Sequence, residues 1–335
     1  KATISEGGER KEKKTIKTEQ VIDTQSGSGV GIGVNENLVT WDGIVKKQNS
    51  KFAFMYPIPK TNKIKGAYNS EETEEIDIDF SKVFNNKELL LREFPEGGAY
   101  CNYEGYLYYT GGNEYLKGMG KVFMRLGFDQ QDGTPKLVKM PQMNNNHRNH
   151  SMICNGDYIF VVGGYNSKRV ECYDMKKLKW YTINNLTYER QRPMLFLDGG
   201  FLYACMGYNQ NGILDSIERI NIQKPETSKW EIVKVLNPSG INKKFYGAGI
   251  LIPEGGQKVY FIGGKIGKGD DEASFKNEIY IFNKMNNEIT TNGGETNGQL
   301  IFLENQLFFL EGENIFANFI DADEGSLVAI PNSVE

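Results

Sequence analysis

The chain contains only two histidines, His147 and His150, and both lie in one short polar segment. Imidazole is the commonest metal-binding side chain, so the two could supply half of a metal site. No further cluster of histidine, cysteine or carboxylate lies nearby in the sequence to supply the remaining ligands. We therefore interpret the pair as a loop histidine and a histidine at the start of a strand, and we predict neither a metal nor another cofactor.

Two other segments imitate ligand-binding motifs without completing them. Residues 29–33, Gly-Val-Gly-Ile-Gly, contain part of a dinucleotide-binding loop, but the full motif and its strand–helix setting are missing. Residues 270–272, Asp-Asp-Glu, lack the alternation of ligands found in calcium loops. Neither a P-loop nor a Gly-x-Ser-x-Gly elbow occurs. The sequence therefore predicts no catalytic residue and no enzyme, although a site assembled from distant segments leaves no local motif and stays an alternative.

The composition is that of a folded chain of near-neutral charge. Its 335 residues are 39% hydrophobic and 12% aromatic, which is enough to bury a core. A formal net charge of −4 argues against nucleic acid or anionic lipid as a partner. No apolar run reaches the roughly 20 residues that cross a bilayer, and no signal-peptide pattern is visible. The cysteines form no Cys-x-x-Cys pair, and we expect all four to be reduced core residues of a cytoplasmic protein: Cys101, Cys154, Cys172 and Cys205.

Short apolar strands that end in glycine recur along the chain about every 50 residues. The recurring glycines are Gly112, Gly164, Gly207, Gly264 and Gly312. Most of them are preceded by a second glycine and by a run such as Tyr-Ile-Phe-Val-Val. A repeat of this length, with four short strands per unit, is typical of the blades of a β-propeller.

The third unit shows the pattern of the repeat most completely. Arg148 is followed by Gly163-Gly164, then by the strand Val170-Glu-Cys-Tyr-Asp174, and then by Trp180. This order of Arg, Gly-Gly, a Glu-x-Tyr-Asp-like strand and Trp resembles a kelch repeat. The resemblance implies an all-β, kelch-type propeller, for which six four-stranded blades fit the spacing, with five or seven as alternatives.

We predict a charged N-terminal tail over residues 1–27, followed by the propeller over residues 28–335. The predicted blades span residues 28–97, 98–146, 147–191, 192–244, 245–297 and 298–331. In the first blade we expect strands at residues 30–34, 38–41 and 52–56. The fifth blade shows no convincing outer strand between Asn287 and Gly294, and residues 326–330 are expected to form the outer strand of the sixth.

The loops that join second to third strands, and those between blades, are expected on one face because strands alternate in direction. These loops are rich in cations and aromatic side chains, although the whole chain is slightly acidic. We predict a partner-binding rim formed by Arg148, Tyr165, Asn166, Lys168, Arg169, Arg190, Arg192, Tyr208, Asn209, Tyr246 and Lys265. In kelch proteins, arginines of these loops grip acidic peptides, and the resemblance extends that expectation to this rim.

The resulting functional hypothesis is a non-enzymatic scaffold or adaptor that binds a protein partner carrying an acidic segment, with no membrane insertion. The resemblance adds an expected cytoplasmic location, at the cytoskeleton or a cilium. The alternative is the substrate-recognition domain of a ubiquitin ligase, which would require a ligase-docking domain outside these residues. A catalytic site in the central channel is a third hypothesis.

Overall fold

The computed structural model describes residues 51–52, 54–68, 73–84, 90–113, 118–237, 246, 249–251, 257–262, 279–292, 299–303, 306–311, 314–319 and 328–330. Within these ranges the chain is all-β apart from two single-turn 3-10 helices, at Phe80–Lys82 and Met119–Lys121. Six antiparallel sheets of three or four strands follow one another along the described chain, and we number them one to six. The all-β prediction is thus confirmed.

The first two sheets are separated by the first 3-10 helix. Sheet one consists of β1 (Phe54–Pro57), β2 (Lys63–Ala67) and β3 (Thr73–Asp77). Sheet two consists of β4 (Ala99–Tyr103), β5 (Tyr106–Thr110), β6 (Phe123–Phe128) and β7 (Pro135–Lys139). Each strand pairs with the next one along the chain.

Sheets three and four have the same meander order. Sheet three consists of β8 (Ser151–Cys154), β9 (Tyr158–Val162), β10 (Val170–Asp174) and β11 (Lys179–Ile183). Sheet four consists of β12 (Met194–Asp198), β13 (Phe201–Cys205), β16 (Ile217–Asn221) and β17 (Glu231–Val233). The connection inside sheet four carries a small hairpin, formed by β14 (Tyr208–Asn209) and β15 (Gly212–Ile213).

Sheets five and six complete the described chain. Sheet five consists of β18 (Gly249–Leu251), β19 (Lys258–Ile262), β20 (Ile279–Asn283) and β21 (Glu288–Asn292). Sheet six consists of β22 (Gln299–Leu303), β23 (Gln306–Glu311), β24 (Asn314–Phe319) and β25 (Val328–Ile330).

The core lies in layers between consecutive sheets rather than in one central mass. The first strands of neighbouring sheets contact each other, from β1 to β4, β8, β12 and β18, and β18 contacts β24. Strand β10 is buried at all five positions, because neighbouring sheets cover both of its faces. Val170 and Cys172 pack towards sheet four, whereas Tyr173 packs towards sheet two. A strand packed on both faces lacks the clean polar alternation of a half-exposed strand.

The strand predictions for the first, fifth and sixth units differ in part from the structure. Residues 30–34 and 38–41 lie outside the described residues, and Phe54–Pro57, expected as a third strand, is the first described strand of sheet one. Sheet five does have a fourth strand, Glu288–Asn292, which a single buried apolar residue, Ile289, anchors. Val328–Ile330 pairs with Gln299–Leu303, the first strand of sheet six, and not with the third strand, β24. It therefore forms the edge of the sheet opposite β24, where the backbone groups of the first strand would otherwise be unpaired. The blade boundaries stay a prediction, and the tail over residues 1–27 lies outside the described residues.

Candidate functional site

In sheets two, three and four, backbone hydrogen bonds join the loop before the first strand to the loop after the second strand. The same bond recurs in sheets two, three and four: Asn113 N to Glu96 O (2.6 Å), Tyr165 N to Arg148 O (2.8 Å) and Tyr208 N to Gln191 O (3.1 Å). A second set of bonds links the sheets to each other, from Asn149 N to Gly97 O (2.7 Å) and from Arg192 N to Asn149 O (2.8 Å). These two sets place the loops of three consecutive sheets at one common edge.

Arg190 holds such a loop in place from inside the protein. Its side chain is fully buried, and its guanidinium lies 2.9 Å from a carboxylate oxygen of Glu218, which is also fully buried. The remaining donors bond to Met206 O (2.6 Å) and to the main chain and hydroxyl of Ser216. Glu218 in turn accepts the backbone N–H of Thr187 at 2.6 Å. The pair therefore fixes the loop before sheet four onto β16 with its donors satisfied.

His147 occupies the corresponding position before sheet three. Its Nε2 lies 3.2 Å from a carboxylate oxygen of Glu171 and its Nδ1 lies 3.0 Å from Gly163 O. Both oxygens accept, so the neutral ring donates to one of them, and the hydrogen bond to Glu171 requires the proton on Nε2. Glu171 also accepts the backbone N–H groups of Asn144 (2.8 Å) and Asn145 (2.7 Å), as Glu218 does for the next loop. Burial by itself raises the pKa of the Glu171 carboxyl, but the hydrogen bonds from His147, Asn145 and Asn144 outweigh it and hold that pKa below its usual range.

Two residues of the predicted rim are buried, and the prediction for them is wrong. Arg190 has no exposed surface, because its guanidinium forms an ion pair with the buried carboxylate of Glu218. It therefore cannot contact a partner protein. Tyr246 is also buried, with its ring 4.7 Å from the ring of Tyr208. A position in a loop predicts an exposed side chain for every arginine, whereas the buried Glu218 draws Arg190 inwards.

A cleft of about 360 Å³ opens between the loops of sheets two and three, and we call it the inter-sheet cleft. Its wall consists of Gly112, Gly120, Asn146, His147, Arg148, Gly164, Tyr165 and Ser167. The described side chains of this wall supply one guanidinium, one amide and two hydroxyl groups and include no carboxylate, whereas the imidazole of His147 is buried and engaged by Glu171 and Gly163 O. An anionic or hydrogen-bond-accepting group of a ligand would therefore meet donors here rather than repulsion.

Arg148 and Tyr165 form the mouth of the inter-sheet cleft. The guanidinium carbon of Arg148 lies 3.8 Å from the centre of the Tyr165 ring, and 47% of Tyr165 is exposed. Stacking on an aromatic face orients a guanidinium while leaving its N–H donors in the plane available. Asn166, Lys168 and Arg169 follow on the same connection and are exposed.

The remaining rim residues lie further along the same edge. Arg192, Tyr208 and Asn209 are half-buried, and Arg192 adopts a positive φ of 47°. Lys265 lies outside the described residues. The structure thus brings Arg148, Tyr165, Asn166, Lys168 and Arg169 to the inter-sheet cleft or beside it, and it places Arg192, Tyr208 and Asn209 beside sheet four.

His150 lies beneath this loop edge and is buried. Its Nε2 is 2.8 Å from Thr110 Oγ1, and its Nδ1 has no hydrogen-bond partner among the described residues. Burial, helped by the neighbouring His147, lowers the pKa of His150 well below its usual value, so the ring stays neutral. Among the described residues no group of three or more histidines, cysteines and carboxylates is placed to hold a metal ion. No helix in the described part of the chain is long and apolar enough to span a membrane.

Comparison with known proteins gives one family match. Residues 147–187 match the family model of the Kelch motif. The chain carries a kelch repeat. This repeat comprises sheet three together with His147 and Arg148, so it contains most of the inter-sheet cleft. No curated protein matches the sequence. Among solved structures, that of YjhT is similar, with 14% identity, a TM-score of 0.46, and coverage of 64% of this chain and 71% of that one.

The kelch repeat contains a buried position that the sequence pattern alone did not identify. Arg148 was assigned as the repeat's arginine, but the buried position that pairs with the strand glutamate belongs to His147. The signal was present in the spacing: His147 precedes Arg190 by 43 residues, the same interval that separates Gly164 from Gly207. The same interval separates two acceptors of tryptophan side chains, Pro141 and Asn184. The indole N–H of Trp180 donates to Pro141 O and that of Trp230 donates to Asn184 O, both at 2.8 Å.

Proposed function

We propose that this protein is a non-enzymatic interaction module that holds a partner protein by an acidic segment bound at the inter-sheet cleft. The observation that carries the proposal is the stacked guanidinium of Arg148 at the mouth of a cleft whose described wall contains no carboxylate. Lys168 and Arg169 extend the positive surface on the same connection, and neither forms an ion pair with a described residue. Oriented cations beside an exposed aromatic ring are the usual anchors of protein recognition.

The proposed architecture is a closed, six-bladed propeller in which each sheet is one blade. The kelch motif of the third sheet and the chain of contacts between first strands from sheet one to sheet five support it. In such a ring the loops of successive blades surround one end of the axis, so a peptide that enters the inter-sheet cleft can also meet the half-buried Arg192 and Tyr208. The proposal extends to a cytoplasmic scaffold or adaptor at the cytoskeleton or a cilium, which microscopy of the tagged protein tests.

The test uses a short fluorescent peptide rich in glutamate and aspartate, titrated with the full chain and followed by fluorescence anisotropy. We expect saturable binding that weakens as salt is raised, because exposed charges are screened. Reversal of Arg148 and Arg169 to glutamate is expected to weaken binding by at least tenfold, since charge-pair contacts at interfaces contribute about 1.5–7 kcal/mol.

The matched control is Lys224→Glu, which makes the same kind of charge change in the exposed turn between β16 and β17, at the other edge of the sheets. It is expected to bind the peptide as the wild type does, and a lysine-rich peptide is expected not to bind. Equal loss of binding in Lys224→Glu and in the single variant Arg148→Glu, which changes the net charge by the same amount, would mean that net charge, not the cleft, attracts the peptide. No binding of the acidic peptide by the wild type contradicts the proposal.

A further inference from the structure

Two of the four cysteines face each other in the layer between sheets two and three. Strands β4 and β8 are in contact, and alternation along each strand decides which side chains enter the layer. Cys101 of β4 and Cys154 of β8 both belong to this layer, together with Ala99 and Met152. Tyr100 and Ile153, one position away from them, pack into the layers on the other sides of the two sheets. Both thiols therefore point towards the same interface.

The surroundings of the two sulfurs are not equivalent. The two thiols are close enough to shift each other's pKa, and Cys154 Sγ also accepts the backbone N–H of Gly156 at 3.3 Å and lies 3.8 Å from Met175 Sδ. The hydrogen bond from Cys101 holds the pKa of the Cys154 thiol below its usual range despite burial, with help from the Gly156 N–H. That same hydrogen bond and burial raise the pKa of Cys101. Cys154 is thus the sulfur that ionises first, and Cys101 is the thiol that stays protonated beside it.

The pair also lies close to the end of its sheets. Cys154 is the last residue of β8, and the turn that follows it contains the exposed Asp157. Cys101 keeps 9% of its surface exposed and Cys154 keeps 2%, against 1% for Cys172 and 0% for Cys205. The exposed turn after Cys154 therefore brings one end of the layer that holds the pair to the protein surface.

We propose that Cys101 and Cys154 form a reversible oxidation site, in which a hydroperoxide such as hydrogen peroxide converts the two thiols to a disulfide joining sheets two and three. In the first step the Cys154 thiolate attacks a peroxide oxygen, the O–O bond breaks and the leaving oxygen takes up a proton as water, which leaves a sulfenic acid on Cys154. In the second step the Cys101 sulfur attacks the Cys154 sulfur, the S–O bond breaks and the hydroxyl leaves as water with the Cys101 proton. The two electrons given up by the thiols reduce one hydrogen peroxide to two waters.

The other two cysteines provide internal controls in the same molecule. Cys172 lies in the layer between sheets three and four, and Cys205 lies in the layer between sheets four and five. Burial raises the pKa of Cys172 to about 12, and it raises that of Cys205 as well. Neither has another cysteine in its layer, so neither is expected to form a disulfide within the chain.

The experiment treats the folded full chain with hydrogen peroxide, blocks the remaining thiols with N-ethylmaleimide, and maps tryptic peptides by mass spectrometry without reduction. We expect one linked pair, the peptide with Cys101 joined to the peptide with Cys154, which dithiothreitol separates again. Cys172 and Cys205 should be recovered as free thiols. Absence of the linked pair, or links that involve Cys172 or Cys205 to a similar extent, would overturn the proposal.

Single substitutions test the roles of the two sulfurs. In Cys101→Ser, peroxide should leave a sulfenic acid on Cys154 that dimedone traps, whereas Cys154→Ser should give little dimedone adduct on Cys101. Equal labelling of both sulfurs would contradict the assignment of Cys154 as the attacking thiol. The wild-type peptide map does not depend on the folding of either variant, so it decides the existence of the disulfide by itself.

Discussion

At the scale of single residues, neighbouring arginines of this protein have opposite roles. Arg190 is fully buried and saturated by Glu218 and two main-chain carbonyls, whereas Arg148 stacks on the exposed Tyr165 at the mouth of the inter-sheet cleft. The difference lies in the acceptors that the fold places beside each guanidinium. A buried charge requires its partner, and an exposed one does not.

Arg190→Met tests this difference through stability. The substitution leaves Glu218 as a buried carboxylate without its counter-charge, and we expect a loss of about 3–5 kcal/mol in the free energy of unfolding. Urea denaturation of the full chain measures it. Arg169→Met is the matched control, with an expected change within about 0.5 kcal/mol because Arg169 is exposed. Similar losses in both variants would contradict the buried role assigned to Arg190.

His150 predicts a dependence of stability on pH. Its folded-state pKa lies well below its usual value of 6.5 because the ring is buried, so the unfolded chain takes up a proton near pH 6.5 and the folded chain does not. Stability is therefore full above pH 6.5 and falls as the pH drops below it, by up to about 1.4 kcal/mol per pH unit. We expect His150→Asn to reduce this slope between pH 7 and pH 5, measured by urea denaturation. An unchanged slope would show that His150 is protonated in the folded protein.

At the scale of structural elements, the turn after each second strand is built for close contact with the next loop. In sheet three, Gly163 and Gly164 have φ values of 71° and 123°, and Gly164 N donates to Arg190 O at 2.7 Å. A Cβ on Gly164 would lie 2.8 Å from Arg148 O. Glycine is required there both for the left-handed backbone and for the approach of the loop that carries the inter-sheet cleft.

Gly164→Ala is expected to lower the free energy of unfolding by more than the strain of a positive φ alone would. Gly133 also has a positive φ, of 70°, but a Cβ there would meet no atom within 4 Å. We expect Gly133→Ala to lose about 1 kcal/mol from the unfavourable φ, and Gly164→Ala to lose at least about 2 kcal/mol more from the clash with Arg148 O. Thermal or urea denaturation compares the two variants. Equal losses would mean that the loop yields to the added methyl group at no cost.

At the scale of the whole molecule, the shared layers between sheets couple each sheet to its neighbours. One layer contains Phe160 of sheet three, Leu186 of the connecting loop, and Leu202 and Trp230 of sheet four. Separate layers join sheets one and two, two and three, and four and five. A sheet that unfolded alone would expose apolar surface on both of its neighbours, and that cost favours a single transition.

The tryptophans test this coupling, because Trp180 lies in the layer between sheets two and three and Trp230 in the layer between sheets three and four. With Trp41 changed to phenylalanine, the further variants Trp230→Phe and Trp180→Phe each leave one reporter. In each variant we expect the fluorescence midpoint in urea to coincide with the midpoint from far-ultraviolet circular dichroism. A fluorescence midpoint that precedes the loss of strand signal would instead show that sheets unfold one by one, as in an open repeat array.

The amino-acid sequence by itself determined the all-β class, the repeat and the kelch motif, because these depend on local patterns. Apolar runs that end in glycine, such as residues 158–164, predict both a buried strand and the turn that follows it. The exposed cations of the third unit, Lys168 and Arg169, were also found from the order of the strands alone. The tertiary structure decided which loop side chain is buried, His147 or Arg190, since that depends on the strand glutamate, Glu171 or Glu218, that lies beside each loop after folding. It likewise decided that Cys101 and Cys154 meet, because two sheets must pack before residues so far apart in the chain can share a layer.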